Sequence, residues 1–321
     1  MKKRRNIMYR IGVDLGGTNI AVGLVNEEME IVVKKSLPTG ADRPAEAIVA
    51  DIATLCKDVC KEKGITVADV AAIGIASPGI ANNETGVVEY ANNLPFLKFP
   101  IARLLGEQVG MDRISIANDA NAAAWGEAVA GAAKGSKNSI MITLGTGVGG
   151  GIIINDEIYC GFNCAGGELG HIVIEVDGAP CSCGRRGCWE AYSSATALIR
   201  MTNEKIEECR KTGRKSLMLD ATKVSGRTAC DAMRAGDEAG KEVYDKYIKY
   251  LASGLATIIN IFQPEVISLG GGVSNEGQSL IDSLLPLIRK EQYGGGLVPL
   301  TDIRIAKLGN DAGIIGAAML G

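Results

Sequence analysis

The sequence of 321 residues contains few aromatic side chains, a single histidine and no strong excess of either charge, with 34 basic and 37 acidic residues. It has no apolar run of the length that a transmembrane helix requires, which argues against a helical membrane anchor. Its formal charge of -3 leaves no basic field to attract a nucleic-acid backbone. The composition therefore predicts a soluble globular protein that binds neither membranes nor nucleic acids.

An export signal is also lacking, because Arg10 and Asp14 interrupt the apolar segment that follows the basic residues 2–5. We expect these basic residues to form a solvated tail. Nine cysteines could form disulfides, but their odd number, the size of the chain and the missing signal favour free or metal-bound thiols. The sequence thus predicts a protein of the reducing cytoplasm.

Strand-like and helix-like segments alternate along the chain. Strands are predicted at residues 9–14, 20–26, 31–36, 70–76, 114–117 and 266–269. Helices are predicted at residues 44–63, 118–131, 238–262 and about 311–320. This order predicts an α/β fold with a mixed sheet covered by helices, and the length of the chain predicts two lobes.

Residues 145–150 match the dinucleotide-binding pattern G-x-G-x-x-G, and Glu168 lies near the position of its ribose-binding acid. That pattern requires a helix to begin at the turn, whereas residues 151–155 continue as a β-branched run. The P-loop pattern G-x-x-x-x-G-K-[ST] is absent. We therefore do not expect a nicotinamide enzyme or a P-loop, and a nucleotide must be held in another way.

Residues 11–26 align without gaps with residues 140–155, and each copy is predicted as strand, glycine turn and strand. The turn residues are Gly16, Gly17, Thr18 and Asn19 in the first copy and Gly145, Thr146 and Gly147 in the second. Glycine lets backbone N–H groups approach phosphate oxygens, and the threonines add hydroxyl donors. Asp14 precedes the first turn, where a carboxylate suits Mg²⁺ bound through water. Chance similarity between two tight hairpins is the alternative.

The single histidine lies close to three cysteines in the sequence. His171 is followed by Cys181, Cys183 and Cys188 in a glycine-rich segment. One imidazole and three thiolates complete the tetrahedral Cys₃His set of a structural zinc site. Free thiols in a glycine-rich loop are the alternative.

These motifs together resemble the ROK family of sugar kinases and repressors, over nearly the whole chain from about residue 7. The resemblance rests on DLGGTN at residues 14–19, LGTGVGGG at 144–151, GGELGH at 166–171 and the spacing His-x₉-Cys-x-Cys-x₄-Cys. It implies a two-lobed actin-like ATPase (ribonuclease H-like) fold, with mixed sheets flanked by helices. The smaller lobe would comprise residues 1–117 and 309–321, and the larger lobe residues 118–308. A homodimer or higher homo-oligomer is also implied.

The resemblance further implies an ATP-dependent hexose kinase that uses Mg²⁺ and a structural Zn²⁺. Its adenosine site would include Gly271 and Gly272. Its sugar ligands would be Asn93, Asn118, Asp119, Glu168, His171 and Glu190, with His171 serving both metal and sugar. Asp119 would be the catalytic base, although the local sequence is equally compatible with a simple helix cap. The two glutamates could likewise be ordinary surface residues.

The zinc-loop motif, with Glu168 and His171, resembles that of the glucose kinases in this family, which implies conversion of glucose to glucose 6-phosphate. Kinases for N-acetylmannosamine share a similar motif, so this sugar or another hexose is the alternative. A sugar-sensing repressor of this family would carry a helix-turn-helix before the first strand. Only residues 1–8 precede that strand here, so we expect an enzyme.

Overall fold

The computed structural model describes residues 8–321, and the predicted basic tail at residues 2–5 lies outside the described residues. The described chain forms three β-sheets flanked by α-helices. The strands are β1 (Tyr9–Leu15), β2 (Asn19–Val25), β3 (Ile31–Pro38), β4 (Val70–Ser77), β5 (Ile80–Asn82), β6 (Val87–Tyr90), β7 (Leu97–Phe99), β8 (Ile114–Asn118), β9 (Ser139–Leu144), β10 (Val148–Ile154), β11 (Glu157–Tyr159), β12 (Val266–Gly270) and β13 (Asp302–Ile305).

The helices are α1 (Ala45–Lys63), α2 (Ile101–Val109), α3 (Asp119–Val129), α4 (Glu190–Ser193), α5 (Ala195–Thr212), α6 (Thr228–Arg234), α7 (Glu238–Phe262), α8 (Gln278–Glu291) and α9 (Ala312–Ala318). The strands and helices predicted from the sequence are confirmed, with ends that shift by at most a few residues. Both copies of the internal repeat form two strands joined by a glycine turn, as β1–β2 and β9–β10.

The first sheet has the strand order β3-β2-β1-β4-β8. β1 pairs antiparallel with β2 and parallel with β4, which in turn pairs parallel with β8. On one face, Ile11, Val13 and Leu15 of β1 join the apolar residues of α1 and α2 in a fully buried core. Burial of these alternate side chains fixes the register of β1, since a slip by one residue would turn them to the opposite face.

The opposite face of this sheet is nearly flat because β1 and β4 carry Gly12 and Gly74 there. A Cβ atom at Gly12 would overlap the carbonyl of Ile314, and one at Gly74 would overlap that of Ala317. The backbone of α9 can therefore lie directly on the strands. The start of α9 thereby lies against the end of β1, where a Cβ atom at Gly313 would be 3.0 Å from the carboxyl carbon of Asp14.

The second sheet has the order β11-β10-β9-β12-β13, and the third sheet has the order β5-β6-β7. β12 and β13 are parallel, whereas β10 and β11 form an antiparallel hairpin. Among the helices, α7 packs against α5, α6 and α8. No helix within residues 8–321 has the length and hydropathy needed to cross a membrane.

Contacts divide the described chain into two compact units. One contains the chain up to Met141, Gly151–Gly167 and Lys307–Gly321, and the other contains Ile142–Gly150 and Glu168–Ala306. These bounds differ from those of the predicted lobes, because α3 packs against α9 and so belongs with the first unit. The lobe boundary at residue 117 stays a prediction.

Candidate active site

Two carboxylates lie at the carboxyl edge of the first sheet. Asp14 in β1 pairs with Ala76 in β4, which pairs with Ala117 in β8. Asp119 follows as the first residue of α3. Because the three strands are parallel and adjacent, their carboxyl ends meet at one edge, which is where open α/β sheets bind their ligands.

The surrounding protein changes the acidity of both groups. Burial, followed by the nearby charge of Asp119, raises the pKa of Asp14 to about 6, and Lys34 opposes this rise. Burial also raises the pKa of Asp119, although solvent still reaches its side chain and the backbone N–H of Ala120 donates to it at 2.8 Å. The two carboxylates repel each other when both are ionised, and a cation bound between them would relieve this repulsion.

Asn118 is the N-cap of α3. Its side-chain oxygen accepts hydrogen bonds from the backbone N–H groups of Ala120 (2.9 Å) and Asn121 (3.3 Å), and its amide donates to the carbonyl of Gly79 (3.0 Å). The capping role therefore belongs to Asn118 and leaves Asp119 available for other chemistry. The N-cap of α3 is thus Asn118 and not Asp119, and the role of Asp119 as the catalytic base stays a prediction.

The first glycine turn, residues 16–19, joins β1 to β2. The N–H of Gly16 donates to the carbonyl of Asn19 at 2.9 Å, and the side chains of Thr18 and Asn19 are exposed. Asn93 lies beside this turn, since a Cβ atom at Gly17 would be 3.5 Å from the Cβ of Asn93. Asp14, the turn, Asn93, Asn118 and Asp119 all belong to the first unit.

The second glycine turn, residues 145–147, belongs to the other unit. It is closed by a hydrogen bond of 3.0 Å from the N–H of Gly145 to the carbonyl of Gly147. Two residues at the start of α5 also bind this turn. The N–H of Ala195 donates to the carbonyl of Gly145 at 2.8 Å, and the hydroxyl of Thr196 donates to the carbonyl of Thr146 at 2.8 Å. The turn is thereby fixed with the carbonyls of Gly145 and Thr146 facing α5.

Gly271 and Gly272 follow β12 in the same unit. Gly271 has φ of 83° and packs so closely on Leu144 that a Cβ atom would be 2.6 Å from the carbonyl carbon of Leu144. A Cβ atom at Gly272 would meet nothing within 4 Å. Only glycine fits easily at Gly271, because the position combines a left-handed backbone with a close neighbour. This glycine segment therefore lies against the residue that precedes the second glycine turn.

His171, Cys181, Cys183 and Cys188 converge on one point, and their ligand atoms all lie within 4.8 Å of one another. The Nδ1 atom of His171 is 3.7 Å from the sulfur of Cys181, and the sulfurs of Cys183 and Cys188 are also 3.7 Å apart. Tetrahedral zinc with Zn–S bonds of about 2.3 Å separates its sulfur ligands by about 3.8 Å. The four side chains therefore fit a structural zinc ion.

Glu190 connects this Cys/His cluster to the second glycine turn. Its Oε1 atom accepts hydrogen bonds from the hydroxyl of Ser182 (3.2 Å) and the thiol of Cys181 (3.7 Å). Its Oε2 atom accepts one from the N–H of Val148 (3.0 Å) and lies where a side chain at Gly147 would be. Glu190 is thus held by two loops at once, in contrast to an ordinary surface glutamate.

Glu168 precedes the short 3₁₀ turn Leu169–His171 and is exposed. The N–H of His171 donates to the carbonyl of Glu168 at 3.0 Å. Gly170 allows this turn to approach β10, because any side chain there would overlap the carbonyl of Val148. Glu168 is therefore fixed relative to His171 and to the strand that follows the second glycine turn.

Trp189 was not predicted from the sequence as a site residue, yet it anchors the segment that carries Glu190. The indole is fully buried, and its N–H donates to the carbonyl of Tyr250 at 3.1 Å. Gly254 in α7 makes room for the ring, since a Cβ atom there would overlap it. The sequence signal was a tryptophan between a metal ligand and a glutamate, together with an isolated glycine inside a long helix.

A profile of the ROK family matches residues 10–321. The chain belongs to the ROK family. Among its relatives, a glucokinase of Streptomyces coelicolor is 37% identical over 314 residues, or 97% of this chain and 96% of that protein. A glucokinase of Halalkalibacterium halodurans is 38% identical over 319 residues, or 97% and 94% of the two chains.

The structure of a ROK family glucokinase from Streptomyces griseus in complex with glucose and AMPPNP is also similar. It has a TM-score of 0.77 and 35% identity, and the match covers 98% of this chain and 99% of that one. The predicted membership of the ROK family and the predicted actin-like ATPase fold, with mixed sheets flanked by helices, are therefore confirmed.

Proposed function

We propose that this protein is a kinase that transfers the γ-phosphoryl group of ATP to O6 of glucose. The observation that carries the proposal is the position of Asp119 beside Asp14 and the first glycine turn, at one edge of one sheet. A proton acceptor, a carboxylate suited to a cation and a phosphate-binding turn are the parts that phosphoryl transfer requires. The ROK relatives named as glucokinases support glucose as the acceptor.

The two glycine turns would hold the phosphates of ATP through backbone N–H groups and the hydroxyls of Thr18 and Thr146. Gly271 and Gly272 would lie beside the adenosine, where a missing side chain at Gly272 leaves open space. Asp14 would hold Mg²⁺ through water, and this ion would supply charge neutralisation for the phosphates when bound. Asp14 is well placed for this role because it lies only two residues before the first residue of the turn, Gly16.

Asp119 would act as the general base. Its carboxylate accepts the proton of the C6 hydroxyl while O6 forms a bond to the γ-phosphorus. The bond between that phosphorus and the β–γ bridging oxygen breaks, and ADP leaves with the electron pair. The raised pKa of Asp119 makes it a better proton acceptor than an ordinary aspartate. Asn118 would fix the start of α3 and so the position of this carboxylate.

Glu168, Glu190 and His171 would bind the sugar hydroxyls, together with Asn93 and Asn118. Carboxylates accept paired hydrogen bonds from adjacent hydroxyls, as a pyranose offers them. Zinc in the Cys/His cluster would act as a structural cross-link. Because Nδ1 of His171 faces Cys181, this atom would bind the metal and Nε2 would be left to contact the sugar.

A coupled assay of ADP release tests the proposal with glucose, mannose, fructose, N-acetylglucosamine and N-acetylmannosamine. We expect glucose to have the highest kcat/KM, and glucose-6-phosphate dehydrogenase to oxidise the product. N-acetylmannosamine is the alternative substrate, and a kcat/KM for it far above that for glucose would contradict the proposed specificity. Absence of ADP release with every hexose would contradict the kinase itself.

A further inference from the structure

Thr39 supports the first glycine turn from behind. It directly follows β3 and is completely buried. Its hydroxyl donates to the carbonyl of Gly16 at 2.6 Å, and its backbone N–H donates to the carbonyl of Thr18 at 2.8 Å. One residue from outside the turn therefore holds two of its four carbonyl groups.

These two hydrogen bonds set the direction of two backbone donors. In a trans peptide the C=O and the following N–H point in opposite directions. The carbonyl of Gly16 shares its peptide with the N–H of Gly17, and that of Thr18 shares its peptide with the N–H of Asn19. Because both carbonyls face Thr39, both N–H groups are directed away from it.

Thr39 is itself held in place. The guanidinium of Arg43 donates to the carbonyl of Thr39 at 2.6 Å and forms an ion pair with Asp51 of α1, also at 2.6 Å. The hydroxyl, the N–H and the carbonyl of Thr39 are therefore all engaged. The residue links α1 to the turn through a chain of hydrogen bonds.

We propose that Thr39 is a positioning residue for phosphate binding, which orients the N–H groups of Gly17 and Asn19 toward the phosphates of ATP. The proposal rests on the proposed kinase function, because it takes ATP as the ligand of this turn. A loose turn would present these donors in varying directions, so the hydroxyl of Thr39 contributes to nucleotide affinity without touching the nucleotide.

Thr39→Val tests the proposal, because valine keeps the shape of threonine and removes the hydroxyl. Thr202→Val is the matched control: Thr202 is equally buried, and its hydroxyl donates to the carbonyl of Leu198 at 2.7 Å, within α5. We expect Thr39→Val to raise the KM for ATP about tenfold, because the loosened turn must then be ordered each time ATP binds. The KM for glucose should stay within about twofold, and Thr39→Ser should restore the KM for ATP.

An unchanged KM for ATP in Thr39→Val, an equal rise in Thr202→Val, or failure of Thr39→Ser to restore it would each overturn the proposal. Amide hydrogen exchange of the wild-type protein gives a test that needs neither activity nor a folded variant. ATP should slow exchange at Gly17 and Asn19, and unchanged exchange there at saturating ATP would also overturn the proposal. If Thr39→Val weakens ATP binding in a direct binding measurement but no hexose is phosphorylated, the proposed function fails while the role of Thr39 stands.

Discussion

Asp14 provides a prediction in which stability and activity change in opposite directions. Burial and the nearby charge of Asp119 raise its pKa from 3.8 to about 6. At pH 7 the group is nevertheless ionised, so the folded protein carries an unfavourable charge at this edge of the sheet. Asp14→Asn keeps the size and shape of the side chain but cannot ionise. We expect the variant to be more stable than the wild type at pH 7, and to lose activity because it cannot hold Mg²⁺.

The size of the effect follows from the pKa. A rise from 3.8 to about 6 corresponds to a cost of up to about 3 kcal/mol for ionised Asp14 in the folded state. The folded protein binds this proton more tightly than the unfolded chain does. The wild type therefore loses stability as the pH rises from about 4 to about 6 and keeps this deficit at higher pH. The difference between the two proteins should shrink below pH 6 and vanish near pH 4.

Urea denaturation at several pH values, without nucleotide or Mg²⁺, measures this difference. Asp42→Asn is the control, because Asp42 is an exposed aspartate of the same unit and its substitution should change the free energy of unfolding by less than about 0.5 kcal/mol. The reasoning is refuted if Asp14→Asn is as stable as the wild type, or less stable, at pH 7. A stability gain that does not depend on pH would also refute it, since the cause would then not be ionisation.

Two further predictions concern the Cys/His cluster and the segment after it. Removal of zinc by a chelator should weaken glucose binding while ATP binding persists, because zinc fixes the loop in which the Ser182 hydroxyl holds Glu190; unchanged glucose affinity after verified zinc loss would count against this coupling. Gly254→Ala places a methyl group against the Trp189 ring and should cost about 1–3 kcal/mol of folding free energy and raise the KM for glucose. Ser253→Ala on the same helix is the control for Gly254→Ala, and equal unfolding midpoints in the two variants would contradict the packing argument.

Much of the site could be predicted because its signals are local. The glycine turns interrupt β-branched runs, so they can be recognised as hairpins from the sequence alone. The spacing of His171 and the three cysteines indicates a metal site without reference to the fold, because the four donors match one coordination geometry. Asp119 could be placed at a helix start for the same reason, since the strand before it and the Ala-rich run after it are adjacent in the chain.

The supporting residues could not be predicted because their contacts depend on distant segments. Thr39 reaches the first glycine turn only because β3 pairs with β2 in a particular register, which local sequence does not reveal. The contacts of Trp189 are with Tyr250 and Gly254 of α7, a helix that is distant from it in the sequence. The boundary between the two units likewise depends on the packing of α3 against α9, which are far apart in the chain.

The kinetics of Asp119→Asn test the central proposal most directly. The assay is ADP release with saturating ATP and glucose, on a variant whose fold and glucose affinity match those of the wild type. Asparagine keeps the shape of the side chain but cannot accept the proton of the C6 hydroxyl, so kcat should fall by about 10²–10⁴-fold. A variant that retains near-normal kcat would contradict the assignment of Asp119 as the catalytic base.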